Sequence, residues 1–173
     1  YSSSNQGNTW SQVGGIIEPF TSSSISSYKN CIAFSEDGTV VAIGYSSVNP
    51  GYVRIYRYRT LTESEWNAGN TTDYESSPGN PIIMTGGDTS WTDGKSYWVQ
   101  VGEDIKDTTT DRYAERYFGR TIALSGDASK LAVQSYSYIT GLRDVQMVYS
   151  LFDYAKIEKT STISAGDYFV HDL

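Results

Sequence analysis

Short apolar segments separated by polar turns run along the chain, and their spacing predicts β-strands. Residues 52–58 (Tyr-Val-Arg-Ile-Tyr-Arg-Tyr) alternate with a period of two, which is the period of side chains along a strand. Similar segments occur in two sets, near 9–17, 31–36, 39–46 and 52–58, and again near 96–105, 120–125, 129–137 and 145–149. Each set predicts four antiparallel strands joined as a meander.

An internal repeat relates the two sets of strands. Residues 10–17 and 98–105 are identical at five of eight positions, at an offset of 88 residues. Residues 32–43 and 122–133 are identical at five of twelve positions, at an offset of 90 residues. A loop between the matched segments absorbs the difference of two residues. The chain therefore contains two copies of one strand-rich repeat.

Turn-forming residues separate the second and third strands of each repeat. In the first repeat Asp37-Gly38 supplies them, because both residue types tolerate the positive φ of a hairpin turn. In the second repeat, residues 125–128 (Ser-Gly-Asp-Ala) stand at this place with the glycine displaced. We therefore expect a different turn type or a bulge in the second repeat.

The segment between the repeats, residues 60–95, predicts an inserted loop that contains a short helix. Thr62 and Glu65 have the spacing of a capping box, and Gly69 follows the last helical positions. Two further elements are expected in this segment, a short strand at 81–85 and a turn at 93–94.

The motifs within the repeats follow one order: Trp-x-Gln-x-Gly, Phe-Gly, Ser-x-Asp-Gly, and Gly-x-Val-Arg-Ile-Tyr. The residues that carry it are Trp10, Gln12, Gly14, Ile17, Ser35, Asp37, Gly38, Ala42, Gly44, Gly51, Val53, Arg54 and Tyr56 in the first repeat, and Trp98, Gln100, Gly102, Ile105, Phe118, Gly119, Ser125, Asp127 and Ala132 in the second. This order resembles β-propeller repeats of the FG-GAP and Trp-Asp-repeat groups, above all the tandem repeats of large marine viral and microbial surface proteins. The resemblance covers about two thirds of the chain. It implies propeller-type blades, each a four-stranded antiparallel sheet.

We therefore expect an all-β chain built from two four-stranded antiparallel propeller-type blades with an inserted loop. A β-sandwich, in which the two repeats cover each other, is the alternative. The expected domains are a first blade at 1–59, an inserted loop with a short helix at 60–95, a second blade at 96–155, and a C-terminal tail or extra strand at 156–173.

Two blades leave sheet faces uncovered, since a propeller needs about four to eight blades to close. The chain is then a piece of a longer protein, a member of a closed ring of copies, or a unit of a head-to-tail filament. Two sites also depart from the repeat pattern. Residues 28–30 (Tyr-Lys-Asn) stand where the first repeat would carry Phe-Gly, and Gln134-Ser135 replaces the glycine after the third strand of the second repeat.

Composition narrows the classes of partner. The 15 tyrosines among 173 residues suit strands, which favour aromatic and β-branched side chains. The net charge of −7 and pI near 4.6 lack the basic footprint of a nucleic-acid-binding protein. We therefore expect no nucleic-acid partner. No apolar run approaches the length of a membrane-spanning helix, so we expect no membrane insertion either.

The chain contains few residues of the types that serve catalysis or metal binding. The single histidine, His171, lies at the end of the sequence, where a catalytic triad is not expected. The single cysteine, Cys31, cannot form an internal disulfide or a Cys-rich zinc site, and we interpret it as a buried small residue. We expect no catalytic residue, no metal and no cofactor.

Several side chains of the insertion are candidates for binding or modification. Trp66 and Trp91 have no counterpart in the repeats, and with Tyr74 they are candidate stacking platforms for a glycan. Their alternative role is to pin the insertion onto a blade. Asn70 begins an Asn-Thr-Thr acceptor for N-glycosylation.

Acidic residues cluster after the first strand of the second repeat. Glu103, Asp104, Asp107 and Asp111 lack the Asp-x-Asp-x-Asp-Gly spacing of a calcium loop, so we interpret them as a solvated acidic loop. Paired carboxylates suit glycoside hydrolysis only when they face each other across a cleft, which no pattern indicates for the pairs Glu63–Glu65 and Glu103–Asp104.

These patterns predict a non-catalytic structural or interaction module of an extracellular or virion-surface assembly. It would work through blade-to-blade packing and oligomerisation, with copies of itself or neighbouring structural subunits as partners. The alternative is a lectin-like module that binds a cell-surface glycan. A glycosidase-type enzyme is the weakest of the three hypotheses.

Overall fold

The computed structural model describes residues 2–4, 9–17, 31–46, 51–69, 82–85, 88–106, 118–135, 145–153 and 156–163. Its strands are β1 (Ser2–Ser4), β2 (Thr9–Ser11), β3 (Cys31–Phe34), β4 (Val40–Tyr45), β5 (Tyr52–Thr60), β6 (Ile83–Met84), β7 (Ser96–Gln100), β8 (Ile105–Lys106), β9 (Thr121–Leu124), β10 (Lys130–Ser135), β11 (Val145–Asp153) and β12 (Lys156–Ile163). One short helix, α1 (Glu63–Ala68), follows β5 in the described part of the chain. The all-β prediction is confirmed, and no sheet closes on itself among these strands.

The chain forms two compact units. The smaller unit comprises Tyr1–Glu18 and Tyr56–Gln100, and the larger unit comprises Pro19–Ile55 and Val101–Leu173. Strand β5 contributes its first residues to the larger unit and its last five to the smaller one. The domain boundaries expected from the sequence stay a prediction.

The smaller unit is built on antiparallel pairing between the end of β5 and β7. Tyr58 lies directly opposite Trp98 in the register, and their ring centroids are 5.2 Å apart. Such cross-strand aromatic pairs stabilise a particular pairing. The Trp-led strand β7 therefore pairs with the fourth strand of the first repeat, and it does not join the sheet of β9 to β12. Its other neighbour is β6, and beside it Leu61, Ile83, Tyr97 and Val99 form a small buried cluster.

The capping box of the insertion is confirmed. The Thr62 hydroxyl accepts a hydrogen bond from the Glu65 N–H at 3.2 Å, and the Glu65 carboxylate accepts one from the Thr62 N–H at 2.9 Å. Gly69 closes the helix with a hydrogen bond to the Trp66 carbonyl. The expected short strand is β6, and the expected turn has Gly94 at φ +73°.

The larger unit contains the equivalent hairpins of both repeats, β3–β4 and β9–β10. Ile32 lies opposite Ile43 in the first hairpin, and Ile122 lies opposite Val133 in the second. These are the pairs that the offset of 90 residues makes equivalent. The second hairpin continues through β11 and β12 into a four-stranded antiparallel sheet.

The turns of the two hairpins are the same, so the expectation of a different turn or bulge in the second repeat is wrong. Gly38 has φ +70° and Ala128, at the equivalent position, has φ +57°. Ser125 holds the second turn by accepting the Lys130 N–H at 2.9 Å and donating to Asp127 at 2.7 Å, as Ser35 holds the first. This network places an alanine in the left-handed region, and the alanine side chain is buried in the core.

A substitution at Gly38 tests whether the turn is limited by backbone conformation. Nothing lies within 4 Å of a Cβ added there, so Gly38→Ala meets no steric obstacle, only the cost of positive φ. We expect it to lower the free energy of unfolding by about 1 kcal/mol. Gly38→Asn should cost less, because asparagine tolerates this region better. Urea unfolding measures both, and equal losses for the two variants would contradict the argument.

Candidate interaction site

The hairpins of the two repeats contact each other within the larger unit. At the turn end, the Glu36 N–H donates to the Gly126 carbonyl at 2.9 Å. At the opposite end, the Cys31 thiol donates to the Gly119 carbonyl at 2.9 Å. Burial raises the pKa of this thiol, so Cys31 stays protonated and can donate. The hairpins are thus joined at both ends, with apolar side chains between.

Glycines allow the backbones to approach at the Cys31 end. A Cβ added to Gly44 would overlap the Gly119 carbonyl oxygen and would lie 2.8 Å from the Cys31 sulfur. Gly119 has φ +80°, and Phe118 beside it is fully buried in the core. The Phe-Gly motif of the second repeat therefore has a structural role. Its aromatic ring fills the core, and its glycine lies against Gly44, near the end of β4.

The hairpins pack through faces that are not equivalent in the repeat. The first contributes Val40 and Ala42 to the core, from the face that also carries Gly44. The second contributes Leu131 and Val133, with Ile122 and Leu124 packed beside them. By the offset of 90 residues, the counterparts of that second set are Val41, Ile43, Ile32 and Phe34. These four residues lie on the opposite face of the first hairpin.

This packing is head-to-tail, and it leaves part of the corresponding face of the first hairpin uncovered. Ile32 is 60% exposed and Phe34 is 56% exposed, although Val41 and Ile43 on the same face are buried. We call these two exposed side chains on β3 the Ile32–Phe34 strip. Their counterparts Ile122 and Leu124 are partly buried against the core. The strip is therefore the copy, in the first repeat, of a surface that is covered in the second.

Arg54 on β5 and Asp104 form a buried ion pair. Arg54 Nε donates to Asp104 Oδ1 at 2.7 Å, Nη2 donates to Oδ2 at 3.0 Å, and both side chains are 6% exposed. The guanidinium also lies over the ring of Tyr52 at 4.9 Å, and that ring stacks on Tyr45 at 4.7 Å. The pair holds the β7–β8 connection against β5, where Val101 N–H donates to the Ile55 carbonyl.

Asp104 therefore corrects the interpretation of the acidic segment as a solvated loop. Its carboxylate is buried and bidentate on Arg54, whereas Glu103 is exposed. Asp107 and Asp111 lie outside the described residues. Within the described ranges, no group of three or more His, Cys, Asp or Glu side chains is placed to hold a metal ion.

Removing one partner of this ion pair should be costly. Asp104→Asn leaves the Arg54 guanidinium buried without a counter-charge, and we expect a loss of about 3 kcal/mol in the free energy of unfolding. The double variant Arg54→Met/Asp104→Leu should lose less than the single one, since neither charge remains uncompensated. Urea unfolding of the three proteins tests this, and a double variant that is the least stable would contradict it.

An open cavity of about 370 Å³ lies in the smaller unit, beside the first Trp-x-Gln-x-Gly motif. The Trp98 indole N–H donates to the Val13 carbonyl at 3.1 Å, and a Cβ on Gly14 would lie 2.7 Å from the Trp98 ring. Tyr58, Tyr97, Gln12 and Lys95 are among its lining residues. Gly14 and its counterpart Gly102 have φ of +69° and +63°, so the glycine of the motif lies in the left-handed region in both repeats.

Lys95 at this cavity is paired rather than free for a ligand. Its ammonium lies 2.6 Å from the Asp88 carboxylate. The Asp88 partner raises the pKa of Lys95, and Lys95 lowers that of Asp88. Besides Lys95, the polar side chains that line the cavity are the amide of Gln12 and the hydroxyl-bearing side chains of Thr85, Ser96, Tyr58 and Tyr97.

The predicted glycan platforms are placed at the edge of the smaller unit. The Trp66 ring packs against Tyr97 with centroids 5.0 Å apart, and the Trp91 indole N–H donates to the Leu61 carbonyl at 2.9 Å. Both rings are half-buried. Tyr74 and Asn70 lie outside the described residues, as does the Trp10 side chain.

Of the carboxylates considered for glycoside hydrolysis, some have structural roles and the others are exposed. Glu65 belongs to the capping box and pairs with Arg59 at 2.9 Å. The Thr62 N–H, above all, lowers the pKa of Glu65. Glu63 and Glu103 are exposed.

Hydrogen bonding lowers the pKa of the aspartates in the two hairpin turns. The Ser125 hydroxyl and the Ser129 N–H hold the pKa of Asp127 at about 2, and the Ser35 hydroxyl lowers that of Asp37. A folded pKa below the unfolded one adds stability above the unfolded pKa, and this stability is lost as the pH falls through the folded pKa. Both turns are therefore expected to weaken in acid.

Ser125→Ala tests this network. We expect the pKa of Asp127 to rise toward the ordinary value of about 3.9, and the stability difference from wild type to shrink between about pH 5 and pH 2. Carboxyl-carbon NMR titration and urea unfolding at several pH values measure both effects. Ser35→Ala is the matched control, since it should raise the pKa of Asp37 and leave Asp127 unchanged. An unaltered Asp127 titration in Ser125→Ala would refute the assignment.

Compared with family models, curated proteins and solved structures, the chain gives no match. Among the described residues, no helix has the length and apolar character to cross a membrane. The site that sequence reasoning missed is the Ile32–Phe34 strip. The recurrence of apolar residues at 122 and 124 marks the equivalent positions, but it does not show which of the two pairs is exposed.

Proposed function

We propose that this chain is a non-catalytic structural module of an extracellular or virion-surface assembly, and that it works by packing one repeat sheet against the next. In this proposal the repeats are propeller-type blades, which stack face to face around an axis. The resemblance of the repeat motifs to surface-protein repeats supports the location. The acidic, Ser- and Tyr-rich composition is compatible with an exposed, soluble surface.

One observation carries the proposal. The chain already contains one head-to-tail sheet contact, between the face of Val40 and the face of Leu131. Non-equivalent faces do not close a pair of repeats as a two-fold contact would, so each repeat keeps one face outside this contact. On the first repeat that face is buried at Val41 and Ile43, but the Ile32–Phe34 strip leaves two large apolar side chains in solvent. Exposed apolar surface next to a built contact favours an interaction role.

A glycan-binding function is the second candidate. The cavity beside Gly14 supports it, because Tyr58 offers ring surface and Gln12 offers an amide, which are groups that sugar sites use. The Trp66 ring already packs against another ring of the chain, and the Trp91 indole N–H already donates to a backbone carbonyl. The packing role therefore has the stronger physical support.

Hydroxyl-radical footprinting tests the packing role. The reactivity of Phe34 is measured in the isolated chain and in the high-mass complex that contains it, purified from its source. We expect a several-fold lower reactivity of Phe34 in the complex. Leu131, which is buried in the chain itself, is the control and should be unreactive in both. Equal reactivity of Phe34 in the two samples would contradict the proposal.

A glycan array distinguishes the second candidate from the first. We expect the wild-type chain to bind no glycan on the array. Binding that disappears in Trp91→Ala or Tyr58→Ala, in proteins whose circular dichroism shows a folded sheet, would replace the packing role by the lectin-like one.

A further inference from the structure

We propose that the Trp-led segment of the first repeat, residues 9–17, adds to the edge of β11 in a second copy of this chain, where it takes the place of β12. While the chain is alone, β12 closes that edge. The inference rests on the proposed function, and it names the strand through which copies join.

Within the chain, the last strand of the first repeat pairs with the Trp-led segment of the second. Strand β5 pairs with β7 over Tyr56–Thr60 and with β8 at Tyr52 and Val53. Between these two stretches the Val101 N–H donates to the Ile55 carbonyl. One repeat sheet is therefore completed by a strand of the next repeat, and this pairing is the contact that a second copy would reproduce.

The second repeat has the same edge, with a different strand on it. Its last strand, β11, pairs with β12, which comes from the C-terminal segment of the chain. The register of this pair shifts twice, between Val148 and Tyr149 and between Ser150 and Asp153. Strand β12 thus occupies, beside β11, the place that a Trp-led strand occupies beside β5.

The Trp-led segment of the first repeat lacks the partner strand that its counterpart has. Strand β7 lies between β5 and β6, whereas β2 has one neighbour, β1, among the described strands. The Val13 carbonyl accepts the Trp98 indole N–H, and a carbonyl oxygen has a second lone pair for a strand hydrogen bond. The segment therefore has an edge that a further strand can use.

Charge decides which last strand the segment fits. At the offset of 88 residues, Ile16 is the counterpart of Asp104. Asp104 is buried against Arg54 of β5, whereas Ile16 is 65% exposed, the highest value among the large apolar side chains that the structure describes. Strand β11 contains neither lysine nor arginine, and residues 9–17 contain no charged residue. On β11 an aspartate at this place would lack a counter-charge, whereas an isoleucine needs none.

Chain connectivity keeps the edge closed in the isolated chain. Two residues separate β11 from β12, so β12 competes for the edge at an effective concentration of about millimolar. A second copy competes with it only when copies are held close together, as in a surface assembly. We therefore expect the wild type to be monomeric in dilute solution.

Weakening β12 in the full chain tests the inference. Glu158 and Lys159 lie opposite Ser150 and Tyr149, and the N–H of one of the two faces β11, because consecutive strand residues point their N–H groups to opposite sides. Glu158→Pro/Lys159→Pro removes that donor. In sedimentation velocity we expect the mass of this variant to rise with concentration, while the wild type stays monomeric. Glu158→Ala/Lys159→Ala, which keeps both N–H groups, is the matched control and should stay monomeric.

A charge at residue 16 tests which strand the released edge takes. Adding Ile16→Asp to the proline variant should weaken its association about tenfold or more, because the aspartate would lie at β11 without a counter-charge. Ile32→Asp is the control, since Ile32 is a similarly exposed isoleucine outside the segment, and association should persist there. A folded proline variant that stays monomeric, or one whose association is unaffected by Ile16→Asp, overturns the inference.

Hydrogen exchange of the wild type provides the test if circular dichroism shows that the proline variant does not fold. A synthetic peptide of residues 8–18 is added at millimolar concentration, and exchange is followed by mass spectrometry. We expect exchange in residues 156–163 to become several-fold faster, because the peptide replaces β12, while residues 145–153 stay protected. The same peptide with Ile16→Asp should have no effect. Unchanged exchange with the unmodified peptide overturns the inference.

Failure of the packing role is recognised separately, by unchanged footprinting of Phe34 in the complex. A folded proline variant that stays monomeric, together with a protected Phe34 in the complex, overturns the strand exchange and keeps the packing role.

Discussion

The larger unit depends on one close approach, in which two backbones meet at Gly44 and Gly119 with no side chain between them. Gly119 is held from its other side as well, because its missing Cβ would lie 3.0 Å from the Tyr52 carbonyl oxygen. This approach places Phe118 fully inside the core and brings the Cys31 thiol within hydrogen-bonding distance of the Gly119 carbonyl. The apolar faces of the two hairpins can then meet without gaps.

The direction of that contact gives the module its proposed function. Two equivalent faces would bury each other and complete the pair, whereas non-equivalent faces leave one of each kind on the outside. The departures from the repeat pattern fit this arrangement. The internal contact uses Gly44 and the Phe-Gly pair, while Gln134 replaces the glycine on the outward face of β10. The covered face of the first hairpin and the equivalent outward face of the second therefore differ in chemistry.

Local patterns were predictable from the sequence, and long-range partners were not. The capping box of Thr62 and Glu65 involves neighbours on one turn, so its spacing was sufficient. The shared register of the hairpins followed from the offset of 90 residues. By contrast, Asp104 was misread because its partner Arg54 lies 50 residues away. The prediction for the turn at Ala128 was wrong because it relied on the position of the glycine and did not consider the hydrogen bonds between the serine and aspartate side chains.

Strand partners beyond the hairpins also needed the structure. Nothing local to β7 shows that it pairs with β5, since that pairing depends on Tyr58 lying opposite Trp98. The strip was missed for a related reason. Strands β3 and β4 are apolar on both faces, and this pattern predicts that both faces are buried. Exposure of Ile32 and Phe34 depends on what packs on each face, and this is a property of the assembled sheets.

Methyl-to-methyl NOEs test the central claim most directly, because they report which face of the first hairpin touches the second. The account predicts cross-peaks that link the methyl groups of Val40 and Ala42 with those of Leu131 and Val133, and none from Ile32 to Leu131. Cross-peaks from Ile32 to Leu131, with none from Val40 or Ala42, would show that equivalent faces are packed together. That result would contradict the head-to-tail contact.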